Sequence, residues 1–133
     1  MGTDTLTTIL KLDAVANEVG GIGLILGGAW LAEPMGLGAA WPLWLAGTLL
    51  LINGYENWAV ARDPSATALK ALAAVDLAFA VAVLGLAVAN PTGAETWARW
   101  TLAIVGDVTA VAGITKLVGL RRVRGGVGEP ASA

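Results

Sequence analysis

Residues 68–89, ALKALAAVDLAFAVAVLGLAVA, form a long apolar stretch with two charged residues, Lys70 near its start and Asp76 within it. A helix rises 1.5 Å per residue, so a helix of this length can cross the roughly 30 Å hydrocarbon layer of a bilayer. Because backbone groups in lipid must be satisfied within a helix or a closed barrel, the stretch predicts a transmembrane helix. The fold class predicted from it is all-α and membrane-embedded.

Three further segments have the same character, and Pro- or Gly-rich connections separate all four. Short connections favour antiparallel neighbours, so we predict one four-helix transmembrane bundle spanning residues 1–120. The remaining residues, 121–133, are predicted to be a disordered cytoplasmic tail. The predicted helices cover approximately 5–32, 42–61, 66–89 and 95–121.

The composition supports a membrane protein and excludes several function classes. Apolar residues make up 56% of the 133 residues and charged residues only 14%, with a mean hydropathy of +0.73. The net charge of −2 and the lack of a basic patch with aromatics argue against nucleic-acid binding. With no cysteine and no histidine, disulfides, thiolates and the commonest metal ligand drop out, and we expect no metal site and no cofactor.

Basic residues predict the orientation, because Lys and Arg beside short loops stay on the cytoplasmic side. Only Arg99 lies on the side opposite the termini. Most tryptophans cluster on that opposite side, where their rings suit the membrane interface. We therefore expect a multi-pass plasma-membrane protein with both termini in the cytoplasm. The basic residues on the side of the termini are Lys11, Arg62, Lys70, Lys116, Arg121, Arg122 and Arg124.

Each predicted helix carries at least one carboxylate in its half nearer the termini, and the first helix also carries Asp13, one turn before Asn17. An ionised carboxylate at a helix centre costs about 2.5–3.5 kcal/mol, so the four acids are predicted to face inward and line one polar chamber. The segment 53–57, NGYEN, adds amides and a phenol to the same region. The predicted catalytic residues are Glu18, Glu56, Asp76 and Asp107, and the predicted substrate-binding residues are Asn17, Asn53, Tyr55 and Asn57.

Salt bridges are not expected to neutralise these acids. Lys116 and Arg62 are the basic residues near enough, but Lys116 follows Asp107 by nine residues and so lies on the opposite helix face. Protonation, hydrogen bonds, water or a bound cation are the remaining ways to stabilise the set. For helix packing, we expect the GxxxG pair Gly23 and Gly27, together with Gly106, to permit close contacts.

Two function classes follow from an acidic chamber in a membrane bundle. The first is an acid–base enzyme or binding protein that isomerises, cyclises or opens an epoxide in a lipophilic small molecule. The alternative is a proton- or cation-coupled transporter, because intramembrane acids mark ion pathways. A third option is an accessory membrane subunit. The expected partners are membrane lipid and a lipophilic small molecule, with a second copy of the chain also allowed.

Several segments resemble known membrane proteins. Glu18 in ANEVGGIGL resembles the first-helix glutamate of small multidrug-resistance transporters, although their AYAxW stretch is missing. GTLLLINGYENW is similar to the GTLxxNxxG segment of fluoride channels, but the phenylalanine and TTFS motifs of those channels are absent. Over most of its length, the chain resembles small actinobacterial four-helix membrane proteins through LKLDAVANEVGGIGLIL, WLAGTLLLINGYENW and KLVGLRR. This last resemblance implies the architecture but no activity.

Overall fold

A computed structural model describes residues 3–128 and shows four antiparallel α-helices. Their order along the chain puts both termini and the α2–α3 turn at one end of the molecule, here called the terminal end. The connections 32–40 and 90–95 lie at the opposite end. The all-α, four-helix prediction is confirmed. The helices are α1 (Thr3–Leu31), α2 (Trp41–Arg62), α3 (Ala66–Ala89) and α4 (Thr96–Gly128).

The ends of α3 match the sequence prediction because both carry recognisable caps. The Ser65 hydroxyl accepts a hydrogen bond from the Ala68 backbone N–H at 3.2 Å. At the other end, Asn90 adopts a left-handed conformation with φ of 46°, a common way to terminate a helix. Its side-chain oxygen also accepts from the Ala94 N–H at 2.7 Å, which fixes the start of the next connection.

The C-terminal boundary differs from the prediction. Helix α4 continues to Gly128, whereas residues 121–133 were predicted to be a disordered tail. No proline lies between Thr96 and Pro130. Leu120 belongs to the apolar cluster at the terminal end, and Val123 packs against that cluster. The last part of the predicted tail, residues 129–133, lies outside the described residues.

Helices α3 and α4 are long and apolar enough to cross a membrane. Only 33% and 22% of their most apolar windows are buried within the protein, so most of their apolar side chains face outward. A core helix of a water-soluble protein would instead bury most of such a window. The structure thus supports two candidate membrane spans within the four-helix architecture.

The helices are organised as two hairpins, α1–α2 and α3–α4, each closely packed along its length, while the hairpins approach one another less closely. At the opposite end the hairpins meet through their connections. There the Glu95 N–H donates to the Pro34 carbonyl at 2.8 Å, and the Thr92 hydroxyl donates to the Met35 carbonyl at 2.7 Å. At the terminal end they share an apolar cluster from all four helices: Leu6, Leu10, Val60, Ala61, Leu69, Leu72 and Leu120.

Glycines bring the backbones of α1 and α2 into contact. A Cβ atom added at Gly21 would lie 2.6 Å from the Gly47 carbonyl oxygen, and one added at Gly47 would lie 2.7 Å from the Gly21 oxygen. The predicted Gly23–Gly27 contact is wrong, because Gly23 has open space around its Cβ position and Gly27 meets only Leu31 of its own helix. The helix–helix contact runs along a different face of α1. The expectation for Gly106 holds, since its Cβ position is 2.6 Å from Leu84.

This packing predicts opposite effects of one substitution at two positions of α1. Gly21→Ala places a methyl group against the α2 backbone and should lower the free energy of unfolding by about 1–3 kcal/mol. Gly23→Ala meets no neighbour and should be neutral or stabilise by up to about 1 kcal/mol through helix propensity. Unfolding titrations of both variants in detergent micelles measure the difference. Equal effects would contradict the close contact between Gly21 and Gly47.

Candidate functional site

The structure does not bring the four predicted catalytic acids together. Glu56 and Asp107 are exposed, and Glu18 is half-buried. The Glu18 carboxylate accepts a hydrogen bond from the Trp58 indole N–H at 2.8 Å, within the first hairpin. Asp76 alone of the four lies in the core, with 2% of its surface exposed. The predicted chamber lined by all four acids is therefore not formed.

The predicted substrate-binding residues divide in the same way. Tyr55 is 73% exposed, whereas Asn53 and Asn57 are buried and Asn17 is half-buried. Asn53 donates hydrogen bonds to Asp76 and to Asn17, and the Asn57 amide donates to the Asn53 carbonyl. The three asparagines are thus connected, through Asn53, to one of the four acids.

Asp76 forms a salt bridge with Lys116, which was not expected to neutralise the predicted acids. Lys116 of α4 is fully buried, and its ammonium contacts the Oδ2 atoms of both Asp13 and Asp76. The expectation that no internal salt bridge would neutralise the four predicted acids is wrong for Asp76; within residues 3–128 the other three form none. Lys116 and Asp107 do lie on opposite faces of α4, but it is the Lys116 face that points into the bundle.

Asparagine side chains close these ion pairs into a ring. The Asn53 amide donates to Asp76 Oδ1 at 3.3 Å and to Asn17 Oδ1 at 3.2 Å. The Asn17 amide in turn donates to Asp13 Oδ1 at 3.1 Å and to the Asp13 carbonyl at 2.8 Å. We call the five residues Asp13, Asn17, Asn53, Asp76 and Lys116 the polar ring.

The polar ring joins the two hairpins. Two of its contacts cross between them: Lys116 of α4 with Asp13 of α1, and Asn53 of α2 with Asp76 of α3. The other contacts lie within a hairpin. Every helix thus supplies at least one member, and the connection between the hairpins in this region depends on charged and amide groups.

The charges in the ring do not balance when its ionisable groups are charged. Two carboxylates share one ammonium, which leaves a net charge of −1 at a site where Asp76 and Lys116 are almost completely buried. Burying ions costs free energy that pairing repays only with good geometry and additional hydrogen bonds. Such an arrangement is weak evidence for a role in stability alone.

Asn57 extends the ring on α2. Its amide donates to the Asn53 backbone carbonyl at 2.9 Å, and the residue is fully buried. The side-chain oxygens of Asn53 and Asn57 are both buried and have no hydrogen-bond partner in the described part of the chain. Because each amide nitrogen points at an acceptor, the orientation of both side chains is fixed by the network.

Two surface recesses accompany the ring but do not contain its members. One, of about 350 Å³, is lined by Tyr55, Trp58, Ala59 and Arg62. The other, of about 340 Å³, lies at the opposite end beside Arg99, whose guanidinium donates to the Ala87 carbonyl at 2.9 Å and so caps α3. Within residues 3–128 no group of three or more acidic side chains is arranged to hold a metal ion.

No model of a protein family, no curated protein and no solved structure matches this chain. Its function is therefore inferred from the geometry of the polar ring and from the apolar surface around it. The resemblances noted in the sequence stay predictions.

Proposed function

We propose that the protein is a small ion-coupled membrane transporter whose coupling site is the polar ring. One observation carries the proposal: the buried Lys116 of the second hairpin bridges Asp13 of the first hairpin and Asp76 of its own. Ionisable groups inside membrane helices are costly, and a bundle that needed only cohesion could use amides and hydroxyls instead.

The surface of the bundle supports a membrane location for all four helices. Large apolar side chains are exposed along each of them, including Leu26 (81%), Leu49 (56%), Val88 (79%) and Val111 (64%). In water, so much exposed apolar surface would favour aggregation, whereas lipid accommodates it. Together with the seven-to-one distribution of basic residues, this supports four spans with the terminal end in the cytoplasm.

Protonation gives the ring a way to control the hairpins. When Asp13 and Asp76 are ionised, Lys116 attracts both, and the hairpins are held together at this level. A proton on one carboxylate brings the net charge of the ring to zero, whereas protons on both remove both ion pairs and leave the buried ammonium without a counter-ion, which favours separation. The Asp13 side chain is 15% exposed and that of Asp76 only 2%, so Asp13 is the point of entry for a proton.

The opposite end provides the hinge for such a movement. The two hydrogen bonds between the connections hold the hairpins there without charged groups. Opening at the terminal end would expose the ring to the cytoplasm, and a lipophilic small molecule could enter between the hairpins. Movement of the rigid hairpins about this hinge gives two discrete arrangements, one with the ring closed and one with the ring open at the terminal end.

A lipophile-transforming enzyme is the second candidate. The recess lined by Tyr55 and Trp58 favours this candidate. The Trp58 indole N–H also donates a hydrogen bond to the Glu18 carboxylate. This places one acid and one phenol near the same opening, with Arg62 beside them.

Proteoliposomes that contain a pH-sensitive dye test the transporter proposal. Adding lipophilic compounds one at a time under an imposed membrane potential should cause compound-dependent proton movement. Asp76→Asn should reduce the rate by about tenfold or more, since coupling free energies of 1–3 kcal/mol correspond to such factors. Asp107→Asn is the matched control, because this aspartate is exposed on α4 and should leave the rate unchanged.

Two results would contradict the transporter proposal. One is equal proton movement in the wild-type protein and in Asp76→Asn. The other is chemical conversion of a compound without proton movement, which would favour the enzyme instead.

A further inference from the structure

We propose that the polar ring binds a monovalent alkali cation, Na⁺, between Asp76 and the side-chain oxygens of Asn53 and Asn57. The inference deepens the proposed function by naming a second ion that competes with the proton at the coupling site, and in that respect it rests on that function. Binding of the ion, however, can be measured without transport.

Two buried acceptor oxygens, on Asn53 and Asn57, lack hydrogen-bond partners in the described part of the chain. Asn53 is 7% exposed and Asn57 is fully buried, yet the Oδ1 atom of each accepts no hydrogen bond within the described residues. A buried acceptor without a partner is destabilising, and such groups in native proteins call for a bound species. The two residues are one helical turn apart, so their side chains share a face of α2.

The Asn53 amide group, which carries one of these oxygens, is in contact with Asp76. The Asn53 amide nitrogen donates to Asp76 Oδ1, which places the unpartnered oxygen of the same amide group beside that carboxylate. Lys116 contacts the other carboxylate oxygen, Oδ2. Asp76 therefore presents Oδ2 to the ammonium and Oδ1 to the Asn53 amide, so the proposed ion lies on the Oδ1 side, away from Lys116.

The chemistry of the acceptors selects the kind of ion. Carboxylate and amide oxygens are hard ligands, which suit alkali and alkaline-earth cations and not the softer transition metals. When its three ionisable groups are charged, the ring has a net charge of −1, which one monovalent cation neutralises. A proton can neutralise the charge, but it does not satisfy amide oxygens, and water satisfies the oxygens without removing the charge.

Na⁺ and a proton are expected to exclude one another. A proton on Asp76 removes the charge that attracts the ion and occupies a carboxylate oxygen, so the two ions compete for the same residue. In a transporter this competition would exchange Na⁺ for a proton when the hairpins separate.

Thermal unfolding of the purified full-length protein in detergent, at constant ionic strength, tests the site. Replacing choline chloride with NaCl should raise the Tm saturably, by about 5 °C at a concentration roughly tenfold above Kd. Asn57→Leu, which removes one oxygen at similar size, should abolish the shift. Thr109→Val should retain it, because this hydroxyl bonds only to the Val105 carbonyl of its own helix.

Direct binding of ²²Na⁺ to the wild-type protein covers the case in which Asn57→Leu does not fold. One ion per chain is expected, displaced by unlabelled NaCl but not by choline chloride. Absence of saturable ²²Na⁺ binding, or an equal Tm shift in the wild-type protein and in Asn57→Leu, would overturn the site and leave ordered water as the partner of the two oxygens. Na⁺ binding without any coupled transport would instead overturn only the proposed function.

Discussion

Lys116→Met should lower the free energy of unfolding by about 3–5 kcal/mol at neutral pH, the cost of breaking a buried ion pair by removing one partner. The methionine fills much of the space of the lysine stem, so the effect comes from the charges and not from a cavity. Asp13 and Asp76 would face one another without the ammonium that contacts both. An unfolding titration in detergent micelles, followed by circular dichroism, measures the loss.

A compensated variant separates this explanation from simple loss of packing. Asp13→Asn and Asp76→Asn added to Lys116→Met remove all three charges and should restore most of the stability, because replacing a whole buried ion network is often neutral. Lys70→Met is the matched control on exposed surface and should change the stability by no more than about 0.5 kcal/mol. If Lys116→Met behaves like Lys70→Met, Lys116 is not the bridge between the hairpins.

The architecture could be predicted from the sequence because apolar runs, and the cap- and turn-forming residues between them, determine helix positions locally. The apolar stretch 68–89 and its flanking Ser65 and Asn90 specify α3 almost to the residue. The far end of α4 could not be predicted in this way, because residues 121–128 contain basic and Gly residues that are typical of a tail. Tertiary packing of Leu120 and Val123 accompanies the extension of the helix there.

The polar ring could be predicted only in part. Asp76 and the asparagines at 17, 53 and 57 stand out as polar residues in apolar helices. Depth along a helix says nothing about rotation around it, however, so Glu56 and Asp107 could not be distinguished from inward-facing acids. The spacing of Asp107 and Lys116 correctly predicted that they lie on opposite faces of α4. Which of the two faces points inward depends on the packing of the other helices.

The sequence around Lys116 does indicate a residue that needs a partner. It interrupts the apolar run GITKLVGL, and a lysine inside such a run is costly unless it has a partner. Its position near the predicted cytoplasmic interface suggested a topology determinant instead. Asp13, one helical turn before Asn17, lies close to the start of the apolar part of α1, where a carboxylate near the membrane interface costs less than one at the helix centre.

Movement of the hairpins is the second large effect expected from the proposed function. Spin labels attached to cysteines at Val15 of α1 and Val75 of α3 would report on the two hairpins at the level of the ring, since both side chains are exposed. The protein contains no cysteine of its own, so only these positions would be labelled. Acidification protonates the ring carboxylates, and the distance between the labels should lengthen by on the order of 5 Å.

Two variants of the labelled protein serve as controls for this experiment. In the compensated variant with all three ring charges removed, the distance should not depend on pH, because no ion pair remains to be broken. Labels placed at the same positions in Asp107→Asn should respond as in the wild-type background, since this exposed residue contributes nothing to the ring.

The inter-hairpin distance as a function of pH, measured by pulsed electron spin resonance in reconstituted membranes, tests most directly whether the polar ring is a protonation-controlled link between two helical hairpins. We predict a short distance at neutral pH and a long one in acid, with the transition lost when the ring is uncharged. A distance that is the same at both pH values, or a transition that survives removal of the ring charges, would contradict this account.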